Sequence, residues 1–374
     1  MSIYFDHNAT TPLHPAVFQA MRTYLEAEYG NASCLYRLGI QASYAVEKAR
    51  RQVSRLIHCH EEEILFTSGG TESDNLALKG VILATGKKHL VTSAIEHPAI
   101  LNPCRYLEQY ADCHVTYLPV DRDGFVDPET VSRALRPDTA LVSIMTANNE
   151  TGSIQPIAEI ASLCQKQGVL FHTDAVQAVG RIPLHVQAGG IDLLSLSAHK
   201  LYGPKGTGAL FVRKGVPLVS LIQGGNQENG RRGGTENVAG IAGLGQAASL
   251  AQSEMEQRIA HETVLRDRLW AKLSQLDIGI QRNSPATNCL PGTLNITIPG
   301  INARELVRTM DEQGFCIATG SACSTGKTTP SYVLKALGRS DDAAIASIRI
   351  SLGRENREEE IDRFVDVIRE VCPN

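Results

Sequence analysis

Short apolar runs rich in β-branched residues alternate with stretches of helical periodicity from about residue 16 to residue 213. Such alternation is typical of βαβ units, in which helices cover both faces of buried parallel strands. The predicted strands span residues 64–67, 90–92, 115–118, 140–145, 169–171, 193–196 and 208–212. The predicted helices span residues 16–29, 41–57, 73–84, 98–110 and 156–167. The pattern therefore predicts an α/β fold built on a mainly parallel, seven-stranded sheet.

The pattern changes after a glycine-rich segment, residues 224–245, which leads into a long amphipathic helix predicted over residues 246–276. Beyond it, two separated strands (293–298 and 347–352) and two helices (303–313 and 358–371) indicate an α+β unit on an antiparallel sheet. At ~150 residues per domain, 374 residues are enough for two or three domains. We expect a large domain over residues 15–255 and a small domain formed by residues 1–14 and 256–374.

The charges of the chain are nearly balanced, with 36 lysines and arginines against 40 aspartates and glutamates. Proteins that bind nucleic acid usually carry a basic surface, so direct contact with nucleic acid is not expected. The N-terminus lacks the pattern of a signal peptide, and no run approaches the ~18 apolar residues of a membrane span. The nine cysteines are scattered without a Cys-x-x-Cys pair, which is typical of reduced thiols. These features predict a cytoplasmic protein that does not contact a membrane.

Ligands of open α/β sheets bind at the carboxyl ends of strands, so the polar residues directly after each apolar run are informative. The first predicted strand of the sheet is followed by Ser68-Gly-Gly-Thr-Glu-Ser-Asp74. Two glycines at a helix N-terminus leave backbone N–H groups open to a phosphate, and Thr71 with Asp74 predicts a capping box. A plain tight turn into a helix explains the same residues equally well.

Two further strand ends carry a carboxylate and an amine. Asp174, with Gln177 three residues later, either caps the next helix or holds a heterocyclic nitrogen in its protonated form. Lys200, flanked by Ser197, His199 and a Gly/Pro-rich turn, is either a surface charge or an amine inside the crevice. The small polar neighbours favour the crevice, where desolvation makes the amine a nucleophile. A carboxylate and a lysine on nearby strands are the two groups that a pyridoxal phosphate enzyme needs.

Glycine, serine and threonine surround Cys323 in the segment Thr319-Gly-Ser-Ala-Cys-Ser-Thr-Gly-Lys-Thr-Thr-Pro330, which has the composition of a loop. The spacing between Gly320 and Gly326-Lys-Thr is one residue longer than in a P-loop, and Pro330 stands where a P-loop would continue into a helix. Nucleotide binding is therefore disfavoured. Cys316, in an apolar setting, is expected to be buried, whereas Cys323 is expected to be accessible.

Together, these segments resemble the class V pyridoxal phosphate enzymes, and within them the NifS/IscS group of cysteine desulfurases. The resemblance covers nearly the whole chain. The motifs that carry it are Asn8-Ala-Thr-Thr-Pro12, Thr67-Ser-Gly-Gly-Thr-Glu-Ser-Asp-Asn75, Glu96-His97, Asn148-Asn-Glu150, Asp174-Ala-Val-Gln177, Ser197-Ala-His-Lys200, Arg232-Gly-Gly-Thr235, Gly320-Ser-Ala-Cys323 and Ser347-Ile-Arg-Ile-Ser-Leu352. It implies the type I fold of pyridoxal-phosphate-dependent transferases, with a large cofactor domain and a smaller α+β domain that carries the catalytic cysteine loop.

The resemblance also implies roles for individual residues around pyridoxal 5′-phosphate. Lys200 would form the Schiff base with the cofactor, and Asp174 would pair with the pyridine nitrogen. His97 would stack on the ring and assist proton transfer, while Gln177 and Asn149 would reach the ring oxygen. The residues implied in holding the phosphate are Gly70, Thr71, Ser197, His199 and, from the other subunit of a homodimer, Thr235.

On the substrate side, the resemblance implies that Arg349 binds the carboxylate with its planar fork, next to Asn149. Cys323 would attack the sulfur of L-cysteine, giving L-alanine and a persulfide on Cys323. The persulfide would pass to a sulfur-acceptor protein, for iron–sulfur cluster assembly, tRNA thiolation or DNA phosphorothioation. An accessible Cys323 would also suit transient ligation of a metal in a cluster on such a partner.

Another class V enzyme, such as a selenocysteine lyase or an aminotransferase, is the alternative that the sequence leaves open. Such an enzyme would share Lys200, Asp174 and Arg349 without needing Cys323. The chain also departs from the NifS/IscS pattern at Ala32, where proline is common, and at Tyr36, where histidine is common. These departures concern the entrance side of the site and not its chemistry.

Overall fold

The structure, a computed structural model, describes residues 2–319 and 329–372. Its strands, in chain order, are β1 (Ile3–Tyr4), β2 (Ile64–Thr67), β3 (His89–Ser93), β4 (His114–Leu118), β5 (Thr139–Ser143), β6 (Leu170–Asp174), β7 (Leu193–Ser197), β8 (Gly208–Val212), β9 (Gln281–Arg282), β10 (Thr293–Thr297), β11 (Phe315–Cys316), β12 (Ala318–Thr319) and β13 (Ser347–Ser351). Its α-helices are α1 (Pro15–Glu26), α2 (Arg37–Ile57), α3 (Gly70–Thr85), α4 (Pro98–Tyr110), α5 (Pro128–Ala134), α6 (Ile157–Lys166), α7 (Val238–Leu273), α8 (Ala303–Glu312), α9 (Tyr332–Ala336), α10 (Asp341–Ile345) and α11 (Glu358–Val371). Each predicted strand and helix corresponds to one of these elements, although α1 ends at Glu26 and not at residue 29.

The seven strands predicted first form one sheet in the order β2-β8-β7-β6-β5-β3-β4. Strands β3 to β7 run parallel to one another, whereas β8 runs antiparallel to both β7 and β2. Every residue of β2, β3, β5, β7 and β8 is buried, because helices cover both faces of the sheet. The predicted α/β fold on a mainly parallel, seven-stranded sheet is confirmed.

The long helix α7 begins at Val238, eight residues before its predicted start. The glycine-rich segment was predicted to stay irregular up to residue 245. This prediction is wrong for residues 238–245, which belong to α7. Glycine disfavours an isolated helix, but here the packing of α7 against other helices requires glycine. A Cβ on Gly243 would lie 2.8 Å from Cγ of Met21, and one on Gly245 would lie 2.6 Å from Cα of Ala49. The missing side chains let α1 and α2 pack closely against α7.

A second sheet, β12-β13-β10-β9, is antiparallel throughout, which confirms the α+β unit predicted for the C-terminal part. Strands β1 and β11 form a separate two-stranded parallel sheet. Two main hydrophobic clusters accompany the two larger sheets. The first joins α1, α2 and the early turns of α7 to the large sheet. The second joins the last turns of α7 to β10, β13, α8 and α11, and it includes Phe5 from the N-terminal segment. Helix α7, 36 residues long, thus contributes to both clusters.

The described part of the chain contains eleven α-helices. None of its helices combines the length and the apolar character that crossing a bilayer demands.

Candidate active site

The carboxyl ends of β2 and β7 meet at the amino end of β8. The strand register pairs both Thr67 and Ser197 with Gly208. A Cβ on Gly208 would lie 2.6 Å from the carbonyl oxygen of Leu196 and 2.7 Å from Cα of Gly69. The absence of a side chain at Gly208 therefore lets the loop that leads into α3 lie directly beside the end of β7.

Helix α3 begins at Gly70, immediately after this loop. Gly69 precedes it with a φ of 150°, a conformation that favours glycine. A Cβ on Gly70 would lie 2.6 Å from Cγ2 of Val176. The first backbone N–H groups of a helix have no intrahelical partners and lie at the positive end of its dipole. The start of α3 is therefore a narrow cradle suited to an anion such as phosphate.

The predicted capping box of Thr71 and Asp74 is wrong. The residue that caps α3 is Gly69, which has no side chain to accept a hydrogen bond. Asp74 is itself a residue of α3, on its buried side, and is only 1% exposed. The local hydrogen bond is made instead by Glu72, which accepts from the backbone N–H of Ser68 at 2.8 Å.

Asp174 is buried at the carboxyl end of β6. One of its carboxylate oxygens accepts a hydrogen bond from the backbone N–H of Val176 at 2.9 Å. Burial raises the pKa of the Asp174 carboxyl, while His97 and Lys200 oppose that shift by favouring the ionised form. A cation or a protonated ring nitrogen beside this carboxylate would be stabilised for the same electrostatic reason.

Lys200 ends the short 3₁₀ turn that directly follows β7. Its amine donates to the carbonyl oxygen of Asn8 and, at 2.8 Å, to that of Ala9. Burial lowers the pKa of Lys200 to about 7, with further lowering by Arg181 and Arg349. The neutral amine, which is the nucleophilic form, is therefore well populated near neutral pH.

Two histidines flank this amine and both are held neutral. His97 caps α4, and its Nδ1 accepts from the backbone N–H of Ala99 at 3.1 Å. The neutral ring therefore carries its proton on Nε2. His97 is partly exposed to solvent. The protein that surrounds the rest of the ring still lowers the pKa of His97 by burial. His199 lies with Nδ1 3.1 Å from Oγ1 of Thr10, and burial lowers its pKa to about 4.

Arg349 stands in the middle of β13, on the small antiparallel sheet. Its Nη2 lies 2.6 Å from Oδ1 of Asp6, and its Nη1 donates to the carbonyl oxygen of Asn149 at 3.1 Å. Arg349 is only 7% exposed. This guanidinium is therefore a cation held in place by packing and by the Asp6 carboxylate, whose contact another carboxylate would have to replace or share.

Three buried side-chain atoms around Lys200 have no hydrogen-bond partner among the described residues. They are Oε1 of Gln177, Oδ1 of Asn149 and Nε of Arg349. Buried polar atoms are normally satisfied, so unpaired atoms on several sides of one cleft indicate a polar ligand there. A phosphorylated, heteroaromatic aldehyde fits this set of groups, with its phosphate at Gly70, its ring beside Asp174 and its aldehyde at Lys200.

The structure brings together most of the residues predicted from the sequence, with two exceptions. Thr235 is exposed, on a loop whose Arg232 forms a 3.0 Å ion pair with Glu72. Cys323, with its predicted nucleophilic and metal-ligating roles, lies outside the described residues. Cys316 is half-buried, so the prediction that it is buried is wrong.

Sequence reasoning assigned no role to Asp6, Asn8 or Arg181, which contact the site residues. Asn8 lies in the quoted Asn8-Ala-Thr-Thr-Pro12 motif, which was the only signal that could have identified it. Within residues 2–319 and 329–372, no group of three His, Cys, Asp or Glu side chains is placed to hold a metal ion.

Comparison with known proteins agrees with this geometry. The family model described as Aminotransferase class-V matches residues 3–364. The "Cysteine desulfurase IscS" of Dictyoglomus turgidum is 45% identical over 371 residues, which are 99% of this chain and 94% of that protein. A solved structure described as "NIFS-LIKE PROTEIN" superposes with a TM-score of 0.93 at 38% identity, covering 99% of both chains. The structure described as "SspA in complex with cysteine" has a TM-score of 0.82 at 37% identity and covers 94% of this chain and 99% of that one.

The family model, the relatives and the solved structures all match this chain over nearly its full length. These matches agree with the site at the edge of the large sheet, which consists of the cradle at the start of α3, the Lys200 amine and the Asp174 carboxylate. The chain belongs to the class V aminotransferase family of pyridoxal-phosphate-dependent enzymes, in its cysteine desulfurase group.

Proposed function

We propose that this chain removes the sulfur of L-cysteine, giving L-alanine and a persulfide on Cys323 that passes to a sulfur-acceptor protein. The observation that carries this proposal is the desolvated amine of Lys200, whose pKa is lowered to about 7, in one cleft with Asp174 and Arg349. These three groups supply a nucleophile, an anion for a ring nitrogen and a cation for an amino-acid carboxylate.

The cofactor is proposed to bind with its phosphate at the start of α3, held by Gly70, Thr71, Ser197 and His199. Val176 already occupies the space that a Cβ at position 70 would need. Glycine therefore suits this position, because it leaves the cradle for the phosphate undistorted. The backbone N–H groups there give the phosphate hydrogen bonds and a favourable dipole.

The ring is proposed to lie between Asp174 and His97, within reach of Gln177 and Asn149. Both amides have an unpaired oxygen, so they retain hydrogen-bonding capacity for polar atoms of the bound cofactor. When bound, pyridoxal phosphate holds the amino group of the substrate and accepts the electron pair left at its α-carbon.

The proton transfers are assigned to residues of this chain. The neutral amine of Lys200 is placed to take the α-proton, and neutral His97 to hold or return a proton at Nε2. Arg349 binds the substrate carboxylate and so fixes the orientation of the α-carbon.

Cys323 is proposed as the nucleophile toward the substrate sulfur. Its thiolate forms an S–S bond as the carbon–sulfur bond of the substrate breaks. The electron pair of the broken bond remains on the carbon, which takes a proton and leaves as L-alanine. No external oxidant or reductant enters, because the sulfur leaves cysteine as the outer atom of a persulfide.

A homodimer is proposed as the working form, with Thr235 of the partner completing the phosphate site. The support is a group of exposed large apolar side chains on α1, α2 and the segment between them. They are Phe18, Leu25, Tyr29, Leu35, Tyr36, Ile40 and Tyr44, and Leu35 is 93% exposed. Large groups of exposed apolar side chains mark interaction surfaces.

We also propose the domain division at residue 255, with residues 1–14 joining the C-terminal part. Met255 packs against the first hydrophobic cluster and Leu265 belongs to the second. Phe5 also belongs to the second cluster. Under this division the large domain carries Lys200 and the small domain carries Cys323 and Arg349.

The test is product analysis with purified protein, pyridoxal phosphate and L-cysteine. The wild type should release equal amounts of L-alanine and sulfide in the presence of a thiol reductant. Cys323→Ser should abolish both products while keeping the yellow absorbance of the bound cofactor, and Cys316→Ser is the matched control that should keep activity. Full sulfide release by Cys323→Ser would contradict the proposed nucleophile. Unchanged cofactor absorbance in Lys200→Ala would contradict the proposed cofactor site.

A further inference from the structure

The position of the Lys200 amine is set by hydrogen bonds to a part of the chain that is distant in sequence. The carbonyl oxygens of Asn8 and Ala9, which accept from its amine, belong to the N-terminal segment, more than 190 residues away in sequence. The position of the amine therefore depends on what fixes this segment, not only on the turn that carries Lys200.

Arg181 fixes the segment. Its Nη1 donates to Oδ1 of Asn8 at 2.5 Å, and its Nη2 donates to the carbonyl oxygen of His7 at 2.7 Å. Gln177 donates to the same Asn8 carbonyl as Lys200, at 2.9 Å. The planar guanidinium thus holds two consecutive residues at once, which a single-point donor cannot do.

Arg181 also places a positive charge close to Lys200. After burial, Arg181 is the largest cause of the lowered Lys200 pKa, followed by Arg349, whereas Asp6 and Asp174 oppose the shift. The histidines beside the amine, His97 and His199, have lowered pKa values and are neutral near pH 7.

The surroundings of Arg181 itself are also charged. Glu262, Arg258 and Tyr202 line the same small internal pocket as Arg181 and Lys200. Burial raises the pKa of Glu262 to about 7, with Arg181 and Arg258 opposing that shift. No ion pair within 4 Å joins Arg181 to Glu262 in the described part of the chain, so the charge of Arg181 is not cancelled by direct contact.

We propose that Arg181 is a positioning residue for Lys200, holding the Asn8 and Ala9 carbonyls in place and disfavouring the protonated amine by its charge. A neutral amine has two hydrogens and one lone pair. With both hydrogens donated to the two carbonyls, the lone pair is free to take the α-proton of the substrate, forming one N–H bond. The inference rests on the proposed role of Lys200 as the residue that bonds the cofactor.

Two substitutions separate the two effects of Arg181. Arg181→Gln removes the charge but keeps an amide donor, and Arg181→Lys keeps the charge but loses the fork. Arg213→Gln is the matched control, since Arg213 also holds a loop through backbone carbonyls, those of Val186 and Ile191, but does not contact the site. A purely structural role of Arg181 would lower stability in both Arg181 variants without changing any titration at the site.

The experiment is a pH titration of the absorbance of the cofactor bound to Lys200 in each purified variant. Removing a cation beside a nitrogen that becomes cationic favours its protonated form, so the midpoint should rise in Arg181→Gln. A rise of roughly one pH unit is expected for one charge several ångströms away at an effective dielectric constant near 20. The midpoint should stay near the wild-type value in Arg181→Lys and Arg213→Gln, and kcat of Arg181→Lys should fall more than its KM changes.

An unchanged midpoint in Arg181→Gln would overturn the inference, as would an equal rise in Arg213→Gln. If Arg181→Gln does not fold, the double variant Arg181→Gln/Glu262→Gln removes the opposing carboxylate as well, and its midpoint should lie above that of Glu262→Gln alone. Failure of the proposed function gives a different result, namely the same cofactor absorbance in Lys200→Ala as in the wild type.

Discussion

The Nη2 atom of Arg349 lies 2.6 Å from Oδ1 of Asp6. The cation assigned to the substrate carboxylate therefore already has a carboxylate partner, supplied by the N-terminal segment. Substrate binding must replace or share this contact. Under the proposed function, Asp6 thus competes with the substrate carboxylate for Arg349 and keeps the guanidinium oriented before substrate arrives.

Removal of the Asp6 charge should tighten substrate binding. Asp6→Asn is expected to lower KM for L-cysteine about threefold to tenfold, since an exchange of ion pairs at a partly exposed site is worth about 1 kcal/mol. Arg349→Lys should raise KM by roughly tenfold or more, because lysine cannot bind a carboxylate with two parallel hydrogen bonds. Steady-state kinetics measure both, with the exposed Asp277→Asn as the control that leaves KM unchanged. A higher KM in Asp6→Asn would show that Asp6 assists substrate binding.

A side chain at Gly70 should weaken cofactor binding. A Cβ there would lie 2.6 Å from Cγ2 of Val176, so the loop must shift away from the phosphate position. Gly70→Ala is expected to raise the dissociation constant for pyridoxal phosphate by roughly tenfold or more. Titration of the apo-protein with the cofactor measures this.

The matched control for Gly70 is Gly86, at the opposite end of α3. Gly86 has a φ of 67°, so Gly86→Ala should lower the free energy of unfolding by about 1–2 kcal/mol. It should leave cofactor affinity unchanged, because Gly86 does not lie at the cradle. Equal losses of affinity in the two variants would mean that α3 as a whole, and not the cradle, determines binding.

The Glu96 carboxyl should make stability depend on pH. Glu96 is fully buried and accepts from Oγ of Ser93 at 2.6 Å and from the Met145 N–H at 3.0 Å. Burial raises its pKa from 4.5 to about 8. Between these values the folded state holds a proton that the unfolded state has lost, so the free energy of unfolding falls as pH rises from about 4.5 to about 8.

Glu96→Gln removes this titration. The variant should show a flatter dependence of unfolding free energy on pH over that window, with a difference on the order of a few kcal/mol. Denaturant unfolding at a series of pH values measures the slope. A slope equal to that of the wild type would mean that Glu96 is ionised in the folded protein.

The exposed apolar surface of α1 and α2 should mediate dimer formation. Ile40→Asp places a charge in its middle and is expected to shift the protein toward monomer in sedimentation experiments. Cofactor affinity should fall in parallel, because the phosphate site would lose the partner's Thr235. Leu83→Asp, at a similarly exposed leucine on α3, is the control and should leave both properties unchanged. A monomeric wild type would contradict the homodimer.

Much of the fold was predictable because strands covered on both faces are mostly apolar. Strands β2 and β8 and helices α4 and α11 have the predicted ends, since local sequence alone determines where the apolar runs stop. The start of α7 was not predictable. Local propensity disfavours helix at Gly243 and Gly245, and only their contacts with α1 and α2 reveal that helix is preferred there.

The groups at strand ends, Asp174 and Lys200, were also predictable, because the topology of an open sheet brings these positions to one edge. The residues that position them were not. Arg181 contacts Asn8 across 173 residues of sequence, and Asp6 contacts Arg349 across 343. No spacing rule relates such pairs, so only the folded chain identifies them. The capping box failed for a related reason, since burial of Asp74 outweighs its local preference for a helix end.

The proposed function requires that the sulfur of L-cysteine is transferred to Cys323. The most direct measurement supplies the loaded enzyme with about one equivalent of L-cysteine labelled with a heavy sulfur isotope. The reaction is stopped by alkylation, and the peptides are analysed by mass spectrometry. We predict one heavy sulfur per chain, on the peptide that contains Cys323, in an amount equal to the L-alanine formed. Heavy sulfur on a different cysteine, or L-alanine formed at an unchanged rate by Cys323→Ser, would contradict this account.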